Sequence, residues 1–141
     1  MKRIALFLSV AAMAIIMMSC GGSTEKKSTE TAKVEVAETA KVMVYYFHSK
    51  QRCKTCLAIQ KVAEQTITEN FANNADVKFV ELDYTESANE TIANKYEVAG
   101  SSLIIVGGDT QKNLTSQAFA NALKSPEVLK ETIIAEVNKH L

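Results

Sequence analysis

Proline is almost missing from this chain: Pro126 is the only one in 141 residues. Histidine occurs only at His48 and His140, and cysteine only at Cys20, Cys53 and Cys56. A closed zinc site normally takes four ligands. Cys53 and Cys56 have His48 near them and His140 far along the chain, so such a site is poorly supplied. No Gly-rich phosphate loop, no GxSxG and no dinucleotide fingerprint appears. No flavin or nicotinamide site is therefore read, and no cofactor is expected. An excess of one charge is also lacking, with 16 basic and 16 acidic residues. Nucleic-acid binding normally shows a clustered basic face, and none is present.

What the sequence does have begins at its start. Lys2 and Arg3 precede an apolar run over 4–18 that only Ser9 interrupts, and Ser19-Cys20-Gly21-Gly22 closes it with small residues. This is the layout of a secretory signal, and the run is short for a spanning helix of about 20 residues. With Met17 and Ser19 ahead of Cys20, the segment resembles a bacterial lipoprotein signal. That resemblance implies removal of residues 1–19, lipid on Cys20, and tethering to the bilayer on a periplasmic or outer membrane face. An uncleaved N-terminal anchor is the other reading. Removing Lys2 and Arg3 from the 16 bases leaves 14 against 16 acids, a net charge of −2.

Residues 20–40 continue with GGSTEKKSTETAKVEVAETA after Cys20 and contain no aromatic residue. Such a stretch cannot bury enough apolar area to offset its ordering entropy, so it reads as a flexible linker. Residues 41–141 remain as one folded domain, a common domain size.

Within that body, KVMVYYF (41–47) is apolar on both alternating faces, which predicts a strand covered from both sides. Burial in the core is accordingly the expected role of Tyr45, Tyr46 and Phe47. Leu57, Ile59, Val62, Ala63, Ile67 and Phe71 then recur at helical spacing. VKFVEL (77–82) predicts a second strand, and Ser87 with Glu90 has capping-box spacing for a helix over 88–96. LIIV (103–106) predicts a third strand. Gly107-Gly108-Asp109 predicts a turn leading to a return strand near 113–119. Ser125-Pro126-Glu127 opens a last helix, with Leu129, Ile133, Val137 and Leu141 at steps of four. The order implies an α/β domain with one mixed sheet of about four strands and helices on both faces. The first crossover puts Cys53-Lys54-Thr55-Cys56 at a strand's carboxyl end, where open α/β sheets carry sites.

Strand, loop, CxxC, helix, strand, helix, hairpin, helix resembles the thioredoxin fold over about 100 residues of body. KYEVAGSSLIIVGGD is similar to the thioredoxin segment running from the second helix into the hairpin turn. The sequence departs from that family twice. Ser102 stands where thioredoxins carry a cis-proline opposite the CxxC, which makes it a candidate supporting residue of the site. A non-proline cis bond costs about 2.5–4 kcal/mol, so the Ser101–Ser102 bond is expected to be trans. Tyr45, Tyr46 and Phe47 fill the strand where thioredoxins bury an acid, leaving no carboxylate there to relay a proton. More narrowly, VYYFHSKQRCKTCLAIQK resembles a small thioredoxin-like family of nitrophenyl-compound nitroreductase subunits linked to arsenic-resistance operons. That resemblance implies a thiol or electron-transfer role beside a membrane permease and redox partner proteins.

The residues leave three chemistries open for the pair. In the first, Cys53 at a helix start ionises readily, because free backbone N–H groups and the helix dipole favour negative charge. Cys53 is then the nucleophile and Cys56, one turn further in, the resolving thiol. Lys54 and Thr55 tune the exchange, and His48 either supports the thiolate or is a plain loop histidine. Lys50, Arg52 and Lys54 form either a positive rim or a solvated loop. The second chemistry is a structural disulfide, which an exported compartment would favour. The third is a dithiol site for arsenite or a soft metal ion without turnover.

Overall fold

The computed structural model describes residues 40–141, which form four strands and four helices. The signal segment, the lipidation residue Cys20 and the linker over 20–39 lie outside the described residues. Among the described residues no helix is long and apolar enough to cross a membrane.

Strand β1 (Val42–His48) runs into helix α1 (Lys54–Asn70), which returns the chain to β2 (Val77–Asp83). A single 3-10 turn (Ser87–Asn89) leads into the short α2 (Glu90–Lys95). Strand β3 (Ser102–Gly107), β4 (Thr110–Asn113), α3 (Thr115–Asn121) and α4 (Pro126–Asn138) complete the chain. The sheet order is β2-β1-β3-β4, with β1 parallel to β2 and antiparallel to β3, and β4 antiparallel to β3. A mixed sheet follows from these connections: a helical crossover makes the parallel pair and a two-residue loop makes the late hairpin.

β1 is covered on both faces, as its apolar run predicts. Val42, Val44 and Tyr46 join a core with Ile59 and Ala63 of α1, Ala118 of α3 and Leu129, Ile133 and Val137 of α4. Met43, Tyr45 and Phe47 join a second core with Leu82, Ile104 and, from α2 and its end, Ala93 and Tyr96. The rings of Tyr45 and Tyr96 lie 5.3 Å apart, and those of Tyr45 and Phe47 5.8 Å. Tyr45, Tyr46 and Phe47 are fully buried. Burying each side chain of this size contributes about 1.5–3 kcal/mol.

The hairpin turns on Gly108-Asp109, because Gly107 pairs with Thr110. Gly108 has φ +56°, the first-position glycine that a type II′ loop prefers. Gly107 is required for a different reason. A Cβ there would sit 2.3 Å from Cγ of the His140 ring, which packs directly against the strand.

Four local expectations are corrected. The return strand is Thr110–Asn113, earlier than 113–119, and the stretch after it is helix α3. The side chain of Asn113 accepts the Thr115 N–H at 2.9 Å and starts the helix. Leu114, Ala118 and Ala122 are all buried at steps of four, whereas Ser116 and Ala120, which a strand would turn to the same face, are exposed, as a helix requires. Ser87 makes no capping box: the 3-10 turn intervenes and Asn89 precedes α2 without a side-chain cap. Pro126 takes the first position of α4, but Ser125 contributes its carbonyl rather than its hydroxyl, accepting from Val128 N–H at 3.0 Å. Leu57 and Leu141 are about half exposed, at 50% and 48%, and stand outside the core stripes they were read into.

Candidate functional site: a cysteine pair at the mouth of helix α1

β1 delivers the chain to His48, a five-residue turn follows, and α1 begins. Cys53 is the N-cap of that helix, with extended backbone (φ −83°, ψ 164°), and Cys56 lies in the first turn. Helix N-termini leave amide donors without intrahelical acceptors. Here the Cys53 sulfur takes one of them, accepting the Cys56 N–H at 3.1 Å. The Cys53 carbonyl accepts the Leu57 N–H at 3.0 Å. No acidic residue occupies the first turn. Cys53 is exposed, Cys56 is buried, and both are free thiols.

The acidity of Cys53 follows from this cap. Its thiol is held below the ordinary value chiefly by the Cys56 thiol, which donates to it, and then by the Cys56 amide. Partial desolvation opposes the shift, and the Thr55 amide assists it. Hydrogen bonds to the charged form stabilise the thiolate, the nucleophilic species.

Cys56 is fixed from two sides. The buried Tyr46 phenol donates a 2.8 Å hydrogen bond to the Cys56 carbonyl. The Cys56 thiol lies 4.0 Å from the Ser101 hydroxyl, at the outer limit of a sulfur hydrogen bond. Burial pushes the Tyr46 phenol up to about 12, with negative charge on Cys56 adding to the rise and Arg52 opposing it.

The supporting residues sort differently from expectation. Ser102 does not reach the thiols: its hydroxyl turns back to the Gly100 carbonyl at 2.9 Å, and its neighbour Ser101 faces Cys56. His48 donates through Nε2 to Glu81 at 2.9 Å, and its Nδ1 lies 3.0 Å from the Ser49 carbonyl. Its ring is thus engaged with Glu81 and the loop backbone. Arg52 is not part of a solvent-facing rim. Its Nη1 donates to Glu81 Oε1 at 2.9 Å, its Nη2 donates to Gln60, and its guanidinium lies 5.6 Å from the centre of the Tyr46 ring. Gln60 also donates to the second oxygen of Glu81. Lys50 and Lys54 are exposed, and Thr55 is half-buried.

Glu81 is the participant that the sequence reading did not single out. It sits on β2 as the parallel partner of Tyr46. A polar residue at the carboxyl end of a strand, on the same edge as the CxxC, was the available signal. Among the described residues no group of three or more His, Cys, Asp or Glu side chains is gathered in a way that could hold a metal ion.

Compared with known proteins, the sequence matches no family model and no curated protein. Solved structures do match. Human ERp44 in its zinc-bound form superposes with a TM-score of 0.53 at 20% identity, covering 76% of this chain and 30% of that one. A second crystal form of human ERp44 gives 0.53 at 20% identity, covering 86% of this chain and 32% of that one. A thioredoxin of Fasciola hepatica overlaps at TM-score 0.48 and 23% identity, covering 74% of this chain and 85% of that one. The chain thus spans about a third of the ERp44 length it matches. With the strand order β2-β1-β3-β4, helices on both faces and a cysteine pair opening α1, the domain has a thioredoxin-like fold.

Proposed function

We propose that this domain is a thiol–disulfide oxidoreductase or thiol electron carrier working through Cys53 and Cys56. The observation that carries the reading is the asymmetry of the pair: an exposed, hydrogen-bonded sulfur at the helix cap and a buried thiol one turn inside. The reaction this arrangement suits begins when the Cys53 thiolate attacks one sulfur of a partner disulfide. A Cys53–partner disulfide forms and the partner's first thiolate leaves. Cys56 then gives up its proton and attacks the Cys53 sulfur, closing a Cys53–Cys56 disulfide and expelling the partner's second thiolate. Two electrons pass to the partner, and two protons from the protein thiols end on the partner's thiols. A dithiol donor returns the pair to its starting state.

The site sits within a chain that we read as a lipid-anchored envelope protein, attached to a membrane through Cys20 and held off its surface by residues 20–40. Cys20→Ser would then move the protein from the membrane fraction to the soluble one. The YYFH…RCKTC pattern supports a narrower role, serving membrane-associated redox partners in arsenical or nitro-compound detoxification. The alternative of a dithiol trap for arsenite or a soft ion uses the same two sulfurs, which would be its only protein ligands among the described residues. Titration calorimetry of the reduced domain with arsenite tests it, and the absence of heat removes it.

The redox reading is tested by reduction of a disulfide-bonded protein with dithiothreitol as donor. Cys53→Ser abolishes catalysis, and Cys56→Ser accumulates a mixed disulfide that non-reducing electrophoresis resolves. Wild-type rates in both variants would end the proposal.

A further inference from the structure

The geometry points to Glu81 as a countercharge that withholds Arg52 and His48 from the Cys53 thiolate and so sets how reactive that sulfur is. Three observations converge on it. Glu81 Oε1 accepts from both Arg52 Nη1 and His48 Nε2, each at 2.9 Å. These two basic side chains flank the turn that leads into the cysteine pair, and one carboxylate gathers both. Arg52 also donates to Gln60, seven residues past Cys53, which commits its guanidinium about two turns along α1. The groups that acidify Cys53 are thiol and amide donors of its own helix turn, and Arg52, its neighbour in sequence, is not among them.

The clasp is built to hold. The Arg52 side chain is 18% exposed and that of His48 13%. Gln60 bridges the second oxygen of Glu81, and the Tyr46 ring lies under the guanidinium. The groups that contact Glu81 are His48 from β1, Arg52 from the loop and the neutral Gln60 from α1. Tyr46 is its register partner, and Asp83, further along β2, is a second carboxylate that pairs in register with His48 and interacts with it. A cation paired with a carboxylate presents little field to a third charge, whereas a released one attracts a nearby thiolate. Glu81 is a positioning residue in this scheme. It touches no reacting atom and acts by cancelling the charge of Arg52.

The inference deepens the redox reading, and its test reads sulfur acidity rather than turnover, so the two fail separately. The experiment follows alkylation of Cys53 by iodoacetamide against pH in Cys56→Ser protein, with Glu81→Gln, Arg52→Gln and their combination. In Glu81→Gln the rate on the acid side of the profile rises by about fourfold, the effect of one unit charge at roughly 5 Å in water, and the midpoint moves to lower pH. Arg52→Gln, which leaves the carboxylate without its main partner, moves both quantities the other way. The double variant returns to the parent profile. A Glu81→Gln profile that is unchanged or shifted to higher pH overturns the inference. So does a double variant that keeps the whole gain, because the carboxylate would then act on the sulfur directly. Should Glu81→Gln fail to fold, Arg52→Gln against the parent decides: an acid-side rate about fourfold lower and a midpoint at higher pH are expected, and an unchanged or faster profile overturns the inference.

Discussion

The Tyr46 phenol and the Cys56 carbonyl, ten positions apart in the chain, are joined by a buried 2.8 Å hydrogen bond. It ties the first turn of α1 to the central strand, so the thiol pair is referenced to the sheet rather than to the loop alone. Replacing Tyr46 by Phe keeps the ring and removes the donor. Urea denaturation at neutral pH should show a loss of about 0.5–1.5 kcal/mol, the usual net worth of one such bond.

The same phenol gives an alkaline signature. Its folded value, about 12, lies above its ordinary value of 10.0. The neutral form is favoured in the fold, so this contribution to stability is complete below pH 10. It is lost as pH rises towards 12, because the unfolded chain ionises first. The urea midpoint of wild-type protein should therefore fall more steeply between about pH 10 and 12 than that of Tyr46→Phe. Parallel curves would contradict the assignment.

The cysteines should separate cleanly under alkylation. Cys53 is exposed with its acidity raised, and Cys56 is buried. Because the thiolate is the reacting species, the Cys53 rate should titrate at a lower pH than that of an ordinary free thiol and fall as pH drops through that midpoint. Cys56 in Cys53→Ser protein should react at least about tenfold more slowly than Cys53 in Cys56→Ser protein, as expected for an inert buried thiol. Mass spectrometry of the two single-cysteine proteins reads both rates.

Gly107→Ala should destabilise the domain by about 1–3 kcal/mol, the usual cost of overpacking. The new Cβ falls 2.3 Å from the His140 ring. His140→Ala opens the space, so the double variant should recover most of the loss. Thermal melts of the three proteins check this, and an additive double variant would show that the ring is not the obstacle.

Glu97 offers the opposite sign. It is the described non-glycine residue with positive φ, at +54°. It sits just past α2, where the Val98 N–H donates to the Ala93 carbonyl at 2.9 Å and the Glu97 N–H to the Asn94 carbonyl at 3.1 Å. That pattern is a Schellman motif, whose left-handed position favours glycine. Glu97→Gly should stabilise the protein by up to about 1 kcal/mol, since the relief of a left-handed side chain outweighs the flexibility glycine adds to the unfolded chain.

The architecture could be read from the sequence wherever burial was two-sided or punctuation was strong. VMVYYF announces the central strand because both of its faces are apolar, and Gly107-Gly108-Asp109 announces the hairpin. The placement of Cys53 and Cys56 followed from strand, loop and helix alone. Helix α3 was harder to see because its buried stripe of Leu114, Ala118 and Ala122 is mostly methyl groups and carries little periodic signal. Ser101 was missed in favour of Ser102 by a single step, and one step along extended chain reverses the direction of a side chain. Glu81 could not be paired with Arg52 from the sequence, since 29 positions separate them and only the parallel register of β1 and β2 brings them together.

The placement of β1 between β2 and β3, with a core on each face, bears on how a partner would meet this protein in the redox role proposed above. Amide hydrogens along 42–47 should be among the last to exchange with deuterium, opening only with the whole domain. The reactive turn is thus suspended from the least yielding segment of the molecule. A partner docking in that role would spend little of its binding energy on ordering that turn, and what it gains on contact would go towards holding two sulfurs in line.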